Sequence, residues 1–166
     1  VILFVFLFTG CGNQSDINGP SDENLLKFLP VRGDEFLGDG DYYHITKEIQ
    51  LEKEDDVVSA VVTGEVKNNF VGGTGAEYNF TLRLEVTNQE IIQTYSGNRL
   101  NDSDFDRVIL LKLPLEVAHS WSFTATNKAG KRQKVTATIT KIFNNGKGIK
   151  VRYETKDGYF EERTLY

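Results

Sequence analysis

Apolar and polar residues alternate along most of the chain that follows Tyr42. A period of two places successive side chains on opposite faces of a β-strand, one buried and one in water. The clearest run spans residues 78–86. Further runs of this type lie at 43–51, 58–66, 121–126, 135–143 and 149–155. The nearly continuous apolar run at 108–113 predicts a buried strand, which ends at Pro114 because proline cannot donate to a sheet ladder.

Turn signals separate these runs and indicate how the strands are connected. Asp157-Gly158 is a two-residue hairpin signal, and further turns are expected at 127–130 and 145–146. Strands joined by tight turns run antiparallel, and the only helical pattern is a short one at 22–29. We therefore predict a mainly β fold. It is a single antiparallel meander of about seven to nine strands in an open barrel, half-barrel or sandwich, with one short N-terminal helix.

The first eleven residues have the pattern of a targeting signal. Residues 1–8 are all apolar, and Thr9 and Gly10 precede the only cysteine, Cys11. Eight apolar residues are too few for a membrane span of about 20, but they suit the core of a signal peptide. Small residues before a lone cysteine resemble the bacterial lipobox, in which the cysteine sulfur receives a diacylglycerol. A cut-off transmembrane helix and a secretory signal with an incidental cysteine remain alternatives.

The lipobox interpretation divides the chain into three parts. Residues 1–10 are a signal peptide truncated at its start, and residues 11–24 are the lipid-anchor cysteine with a flexible polar tether. Residues 25–166 form a single β-rich domain, for which a C-terminal truncation is also left open. The interpretation predicts an extracytoplasmic lipoprotein that is anchored to the bacterial cell membrane by fatty acids such as palmitate.

Three stretches resemble an uncharacterised group of lipoproteins from Clostridia and related Firmicutes. They are the opening FLPV at 28–31 with GDGDY at 38–42, the segment NNFVGGT at 68–74, and LKLPLEVAHSW at 111–121. The last stretch is similar to an LKxPLxxGxxW pattern, with Ala118 at the position of the glycine. The resemblance implies a secreted, lipid-anchored β-domain without an assigned activity. It supplies no catalytic residues that carry over to this chain.

Composition excludes several classes of site. A single cysteine cannot form an intramolecular disulfide or a cysteine-based zinc site, and two histidines, His44 and His119, leave little room for a multi-histidine centre. The net charge of −5 and a pI near 5.1 argue against a general nucleic-acid binder. Ser120 follows His119, but no arrangement of nucleophile, base and oxyanion hole marks an active site. We predict no enzymatic activity, no cofactor and no nucleic-acid partner.

Acidic residues at alternate positions form a weak candidate for a calcium site. They are Asp102, Asp104 and Asp106. A calcium loop begins in this way because hard cations prefer oxygen ligands. The later positions depart from that loop, since Arg107 lies where glycine is needed and Leu113 lies where the bidentate glutamate belongs. The pattern therefore favours a solvated acidic loop and no metal. A second acidic cluster at 34–41 has no defined ligand spacing.

Charge is distributed unevenly along the chain. Residues 12–60 contain twelve acidic and four basic residues, whereas residues 128–156 contain nine basic residues and one acidic residue. Part of the basic segment is predicted to lie on the wet face of two adjacent strands, where it would form a surface for anionic polymers or lipid headgroups. The candidates are Lys134, Lys150, Arg152 and Lys156. A solvated sheet face, or neutralisation by the acidic segment, is the alternative that the pattern favours.

Two functions follow from these patterns. The first is a non-catalytic binding domain that faces the envelope and contacts an envelope protein or a wall polymer. The second is a carrier, in which a curved sheet holds a lipid-like or other hydrophobic ligand. The residues that would line such a pocket, or form an ordinary core, are Tyr78, Phe80, Leu82, Trp121 and Phe123. Since large apolar residues are most often core, the core interpretation is favoured.

Overall fold

The fold is mainly β, as the alternation predicts. A computed structural model describes residues 25–33, 35–37, 42–68, 78–95 and 104–166. Within those residues the chain forms ten strands in two antiparallel sheets, together with two short 3-10 segments at Leu25–Phe28 and Asn144–Gly146. The described part of the predicted N-terminal helix is thus a single 3-10 turn. The ten described strands exceed the expected seven to nine, because the short strands Glu35–Leu37 and Glu90–Thr94 have no alternating pattern.

Except at the crossing from β6 to β7, each described strand pairs with its neighbours in sequence, so the strands form an antiparallel meander divided between two sheets. The first sheet has the order β1 to β6: β1 (Glu35–Leu37), β2 (Tyr42–Glu54), β3 (Val57–Asn68), β4 (Tyr78–Val86), β5 (Glu90–Thr94) and β6 (Arg107–Lys112). The second sheet has the order β10-β9-β8-β7: β7 (Ser120–Thr126), β8 (Arg132–Phe143), β9 (Gly148–Thr155) and β10 (Phe160–Leu165).

The predicted turns connect the strands of the second sheet. Gly158, between β9 and β10, and Gly130, between β7 and β8, both have positive φ angles, which glycine adopts without a steric penalty. The chain crosses from β6 to β7 through the turn expected after the buried strand, with a cis peptide bond at Leu113-Pro114. There the amide of His119 donates to the carbonyl of Glu116 (3.1 Å).

One hydrophobic core is shared by both sheets. Within the core, hydrogen bonds to the main chain of β6 join them: the Trp121 indole donates to the Ile109 carbonyl (3.3 Å), and the Tyr153 hydroxyl donates to the Leu110 carbonyl (2.8 Å). All four residues from Val108 to Leu111 are buried, which confirms the prediction of a buried strand. This packing fixes the second sheet on the first and gives it one buried and one exposed face.

A β-bulge in β2 changes which residues of that strand are buried. The alternation predicts Ile45 on the buried face and Thr46 on the wet face, and this is wrong. The register shifts between Thr46 and Glu48, so Thr46 lies opposite Gly64 and is only 1% exposed, whereas Ile45 is partly exposed. One extra residue in a strand exchanges its two faces, because the side-chain period is two.

Gly64 is required by a close approach between strands. A Cβ atom at this position would lie 2.5 Å from carbons of the Phe80 ring and would also collide with the carbonyl oxygen of Ile45. Only glycine allows β2, β3 and β4 to approach in this way. The apolar alternation of β3 therefore contains a glycine where the buried ring of Phe80 occupies the space.

Candidate functional site

The exposed face of the second sheet, here called the outer face, brings the predicted basic residues together. Along β7 every second residue is buried and the intervening residues are exposed, and β8 and β9 continue this alternation. Cross-strand pairing then defines which residues share the outer face. They are Ser120, Ser122, Thr124, Thr126, Arg132, Lys134, Thr136, Thr138, Lys141, Lys150, Arg152, Glu154, Lys156, Phe160, Glu162 and Thr164.

Hydroxyl groups cover the half of the outer face formed by β7 and β8. The side-chain oxygens of Ser120 and Thr138 are 2.7 Å apart, and those of Ser122 and Thr136 are 3.3 Å apart. These contacts join residues that are directly opposite in the register. Short side chains of this kind leave a flat surface whose hydroxyls both donate and accept hydrogen bonds.

Charged residues cover the other half, along β9 and β10. Lys150 forms an ion pair with Glu162 (3.3 Å), and the Arg152 side chain donates to Glu154 (2.7 Å). The Arg152 guanidinium also lies 4.3 Å from the centre of the Phe160 ring, which is the range of a cation–π contact. The carboxylates of Glu154 and Glu162 therefore neutralise part of the positive charge of this strand pair.

Among the described residues, four basic side chains of the outer face have no carboxylate partner: Arg132, Lys134, Lys141 and Lys156. Lys134 and Lys156 flank the cross-strand pair formed by Val135 and Thr155, so they are neighbours on adjacent chain segments. Both are exposed, and neither forms an ion pair with any residue that the structure describes. Like charges on neighbouring strand positions repel each other. This pair is therefore the part of the face best suited to receive an anion from outside the molecule.

The second sheet is positively charged as a whole. Residues 120–166 contain ten Lys and Arg residues and four Asp and Glu residues, for a net charge of +6. At the turn end of the sheet, Lys131 pairs with Asp157 (2.9 Å) and Lys128 lies 3.6 Å from Asp104. Such exposed pairs contribute little to stability, but they set where uncompensated charge remains.

Asp106, a calcium candidate, is used in the described structure to join the sheets. Its carboxylate accepts from the Thr126 amide (2.8 Å), and its own amide donates to the Thr126 carbonyl (2.9 Å). Asp104 lies near Lys128, and Asp102 is outside the described residues. Within the described ranges, no group of three His, Cys, Asp or Glu side chains is arranged to hold a metal ion.

The residues proposed as a ligand lining lie in the shared core where they are described. Phe80, Trp121 and Phe123 are 3%, 6% and 7% exposed, and Leu82 packs against the same cluster. Tyr78 begins β4, and its side chain is outside the described part. Burial in a single cluster is typical of packing residues.

His119 and Ser120 do not form a nucleophile–base pair. The Ser120 hydroxyl lies 2.7 Å from the hydroxyl of Thr138, and it also donates to the carbonyl of Ala118 (3.4 Å). The His119 ring lies 5.8 Å from the Trp121 ring, and its buried Nε2 has no hydrogen-bond partner among the described residues. His44 belongs to β2, and its side chain is not described.

A polar network at the edge of the core was not predicted from the sequence. The Arg163 guanidinium donates to the Glu161 carboxylate (2.6 Å), to the Gln93 side-chain oxygen (3.2 Å) and to the Tyr95 hydroxyl (3.3 Å). Burial alone would lower the pKa of Arg163, but the oxygens of Tyr95 and Glu161 raise it, so the side chain stays charged. The network connects β10 to β5 and stabilises the edge of the second sheet.

The pKa of the tyrosine that adjoins this network is shifted upward. Burial, together with a hydrogen bond to Glu161 (2.5 Å), raises the pKa of Tyr159 well above its usual range. Burial likewise raises the pKa of Tyr153. Both hydroxyls therefore stay protonated at neutral pH and act as hydrogen-bond donors.

No family model matches this chain, and no curated protein and no solved structure matches it either. Among the described residues, no helix is long and apolar enough to cross a membrane. Cys11, the signal segment at 1–10 and the tether at 11–24 lie outside the described residues.

Proposed function

We propose that this chain is the non-catalytic binding domain of a bacterial surface lipoprotein, anchored through Cys11, whose outer face contacts an anionic polymer of the cell envelope. The observation that carries the proposal is the pair of exposed, unneutralised lysines, Lys134 on β8 and Lys156 directly after β9, on neighbouring positions of the outer face. A bound polyanion relieves the repulsion between them and supplies the carboxylates or phosphates that the fold does not.

The spacing of the cations suits an extended polymer. Residues two positions apart on a strand point to the same face and are separated by about 7 Å. Arg132 and Lys134 have this spacing on β8, and Lys156 lies across from Lys134, whereas Lys150 and Arg152 on β9 are paired with glutamates. A polymer with one anionic group in each short repeat can therefore contact successive cations, while its hydroxyl groups bond to the serines and threonines of β7 and β8.

The surface chemistry favours a polymer over a lipid bilayer. A membrane-binding face combines cations with apolar side chains that insert below the headgroups. Of the large hydrophobic residues found exposed in the described part of the chain, only Phe160 belongs to the outer face, and the Arg152 guanidinium lies against its ring. The remaining positions are hydroxyl-bearing or charged.

The lipid anchor makes a weak contact sufficient. Tethering the domain near the envelope raises its effective concentration at the polymer, so that an individually weak site is occupied. The burial of Phe80, Trp121 and Phe123 in the shared core supports a packing role for these residues. We therefore prefer the binding domain to a carrier of hydrophobic ligands.

A comparison of polymers tests the proposal. The purified chain is passed over immobilised poly(glycerol phosphate), neutral dextran and vesicles containing anionic lipid. We expect salt-sensitive binding to the phosphate polymer and none to dextran, because exposed charges are screened over about 10 Å at 0.1 M salt. Binding to vesicles alone would replace the polymer with a lipid surface, and no binding to either anionic surface would refute the proposal.

A further inference from the structure

A depression of about 310 Å³ lies at the end of the second sheet, away from the outer face. It is bounded by the β7–β8 turn and the β9–β10 turn. Its wall contains Asn127, Gln133, Thr155, Asp157 and Tyr159. A volume near the lower end of the range for small-molecule pockets, about 300–1,000 Å³, is enough for one small ring.

An aromatic ring held in a fixed orientation forms part of this depression. The Tyr159 ring meets the Phe105 ring edge to face, with centres 5.0 Å apart and planes at 88°. Phe105 is buried, at 4% exposed, and the Tyr159 hydroxyl donates to Glu161. Because the ring is held from both sides, its accessible part is a preorganised apolar surface.

Polar side chains around the ring are held in place and keep groups to spare. One oxygen of Asp157 accepts from Lys131 (2.9 Å) and Gln133 (3.0 Å), and Oδ1 of Asn127 accepts from the amides of Ala129 (3.0 Å) and Lys131 (2.9 Å). The second oxygen of Asp157 and the amide nitrogen of Asn127 have no hydrogen-bond partner among the described residues. An acceptor and a donor therefore remain for a ligand.

The charges at the depression are balanced. Asp104 lies 3.6 Å from Lys128, and Asp157 lies 2.9 Å from Lys131. Around the depression, the two acidic and two basic groups that the structure describes neutralise each other, in contrast to the outer face. The balance favours a neutral ligand that both donates and accepts hydrogen bonds and has one apolar side.

From these features we infer a second binding site, which takes a single neutral pyranose ring. Sugar hydroxyls bond to Asp157 and Asn127, and the C–H face of the ring packs against Tyr159. The site uses other residues than the outer face, so this inference is independent of the proposed function. Together with the proposed function, it implies that the domain binds both a neutral sugar and an anionic polymer.

Amide chemical shifts of the full chain test the inference during titration with the methyl glycosides of glucose, galactose, mannose and N-acetylglucosamine. Concentrations reach about 50 mM, because one ring in an open site is expected to bind with a millimolar Kd. We expect at least one of these glycosides to shift the amides of Ala129, Gln133 and Gly158. Absence of such shifts with all four would overturn the inference.

Variants identify the contacts. D157A removes the free carboxylate oxygen, and N127D replaces the amide donor while keeping the oxygen that holds the turn, so each should weaken binding about tenfold. R132A changes an exposed neighbour and should bind as the parent chain does. Equal affinity of all three variants would contradict the proposed contacts. If D157A does not fold, N127D alone tests the polar contacts to the sugar. A K134Q/K156Q chain should retain sugar binding, because its substitutions lie on the outer face.

Discussion

The hairpin of β2 and β3 and the second sheet are built from the same alternating pattern, yet their surfaces carry opposite charge. Residues 42–68 contain six acidic and three basic residues, whereas residues 120–166 contain ten basic and four acidic residues. Among the described strands, β1 pairs with only three residues of β2, and the rest of that edge carries glutamates such as Glu48 and Glu52. Charged side chains protect an open edge from pairing with other chains.

Under the proposed function, this difference gives the two sheets separate roles. The acidic hairpin would repel a polyanion and the basic face would attract it, so an anionic polymer would have one favourable orientation on the domain. On the hairpin, the few cations are also locally neutralised: Lys47 and Lys67 each lie 2.9 Å from the Glu65 carboxylate. On the second sheet, Lys134 and Lys156 are not neutralised in this way.

The largest expected effect comes from breaking the first sheet at Gly64. The G64A variant places a methyl group against the Phe80 ring and the Ile45 carbonyl, and we expect the free energy of unfolding to fall by about 3 kcal/mol. Urea unfolding measures the change, with S59A on the same strand as an exposed control within about 0.5 kcal/mol. A loss below about 1 kcal/mol in G64A would mean that the strands do not approach this closely.

The contact between the two sheets is tested at Tyr153. The Y153F variant removes the hydroxyl that donates to the buried Leu110 carbonyl, and we expect a loss of about 1–2 kcal/mol. Y166F, which changes an exposed tyrosine, should lose less. If both variants are equally stable, the Tyr153 hydrogen bond does not hold the sheets together.

The raised pKa of Tyr153 predicts how the free energy of unfolding changes at alkaline pH. Its folded pKa is raised, so above the unfolded value of about 10 only the unfolded state releases the proton, and stability falls as pH rises. The decline should be steeper for the parent chain than for Y153F by up to about 1.4 kcal/mol per pH unit. Unfolding curves at pH 9, 10 and 11 check the difference, and parallel declines would contradict the burial of this hydroxyl.

The smallest expected effect concerns the neutralised cations of the hairpin. Hydrogen bonds from Lys47 and Lys67 lower the pKa of Glu65, so its contribution to stability is present above the unfolded pKa and is lost as pH falls through the folded value. The melting temperature of the parent chain should therefore decline more between pH 5 and 3 than that of E65Q. Identical pH profiles would show that the three charges do not interact.

Much of the fold could be predicted because alternation is a local property. The alternating runs predict β3, β4, β7, β8 and β9, and the turn signals predict the hairpin turns of the second sheet. The strand β5 was missed because Ile91, Ile92 and Gln93 are all buried, so no alternation marks it. The bulge in β2 was missed because its effect on Thr46 depends on the partner strand.

The candidate site was predicted less completely, because contacts between strands that are distant in sequence leave no local pattern. Lys134, Lys150, Arg152 and Lys156 share a face as their parity requires, but ion pairing to Glu154 and Glu162 depends on the register of β9 and β10. The contact between Arg163 and Gln93 joins residues that are 70 positions apart, and no local pattern reveals it.

Two double variants, each of which removes two positive charges, test most directly whether an anionic polymer binds to the outer face. K134Q/K156Q removes the lysines of the outer face, and K53Q/R83Q removes exposed cations of the first sheet. At low salt we expect the first variant to bind poly(glycerol phosphate) at least about tenfold more weakly than the parent chain, and the second to stay within about twofold. Equal loss in both variants, or none in K134Q/K156Q, would contradict the assignment of binding to the outer face.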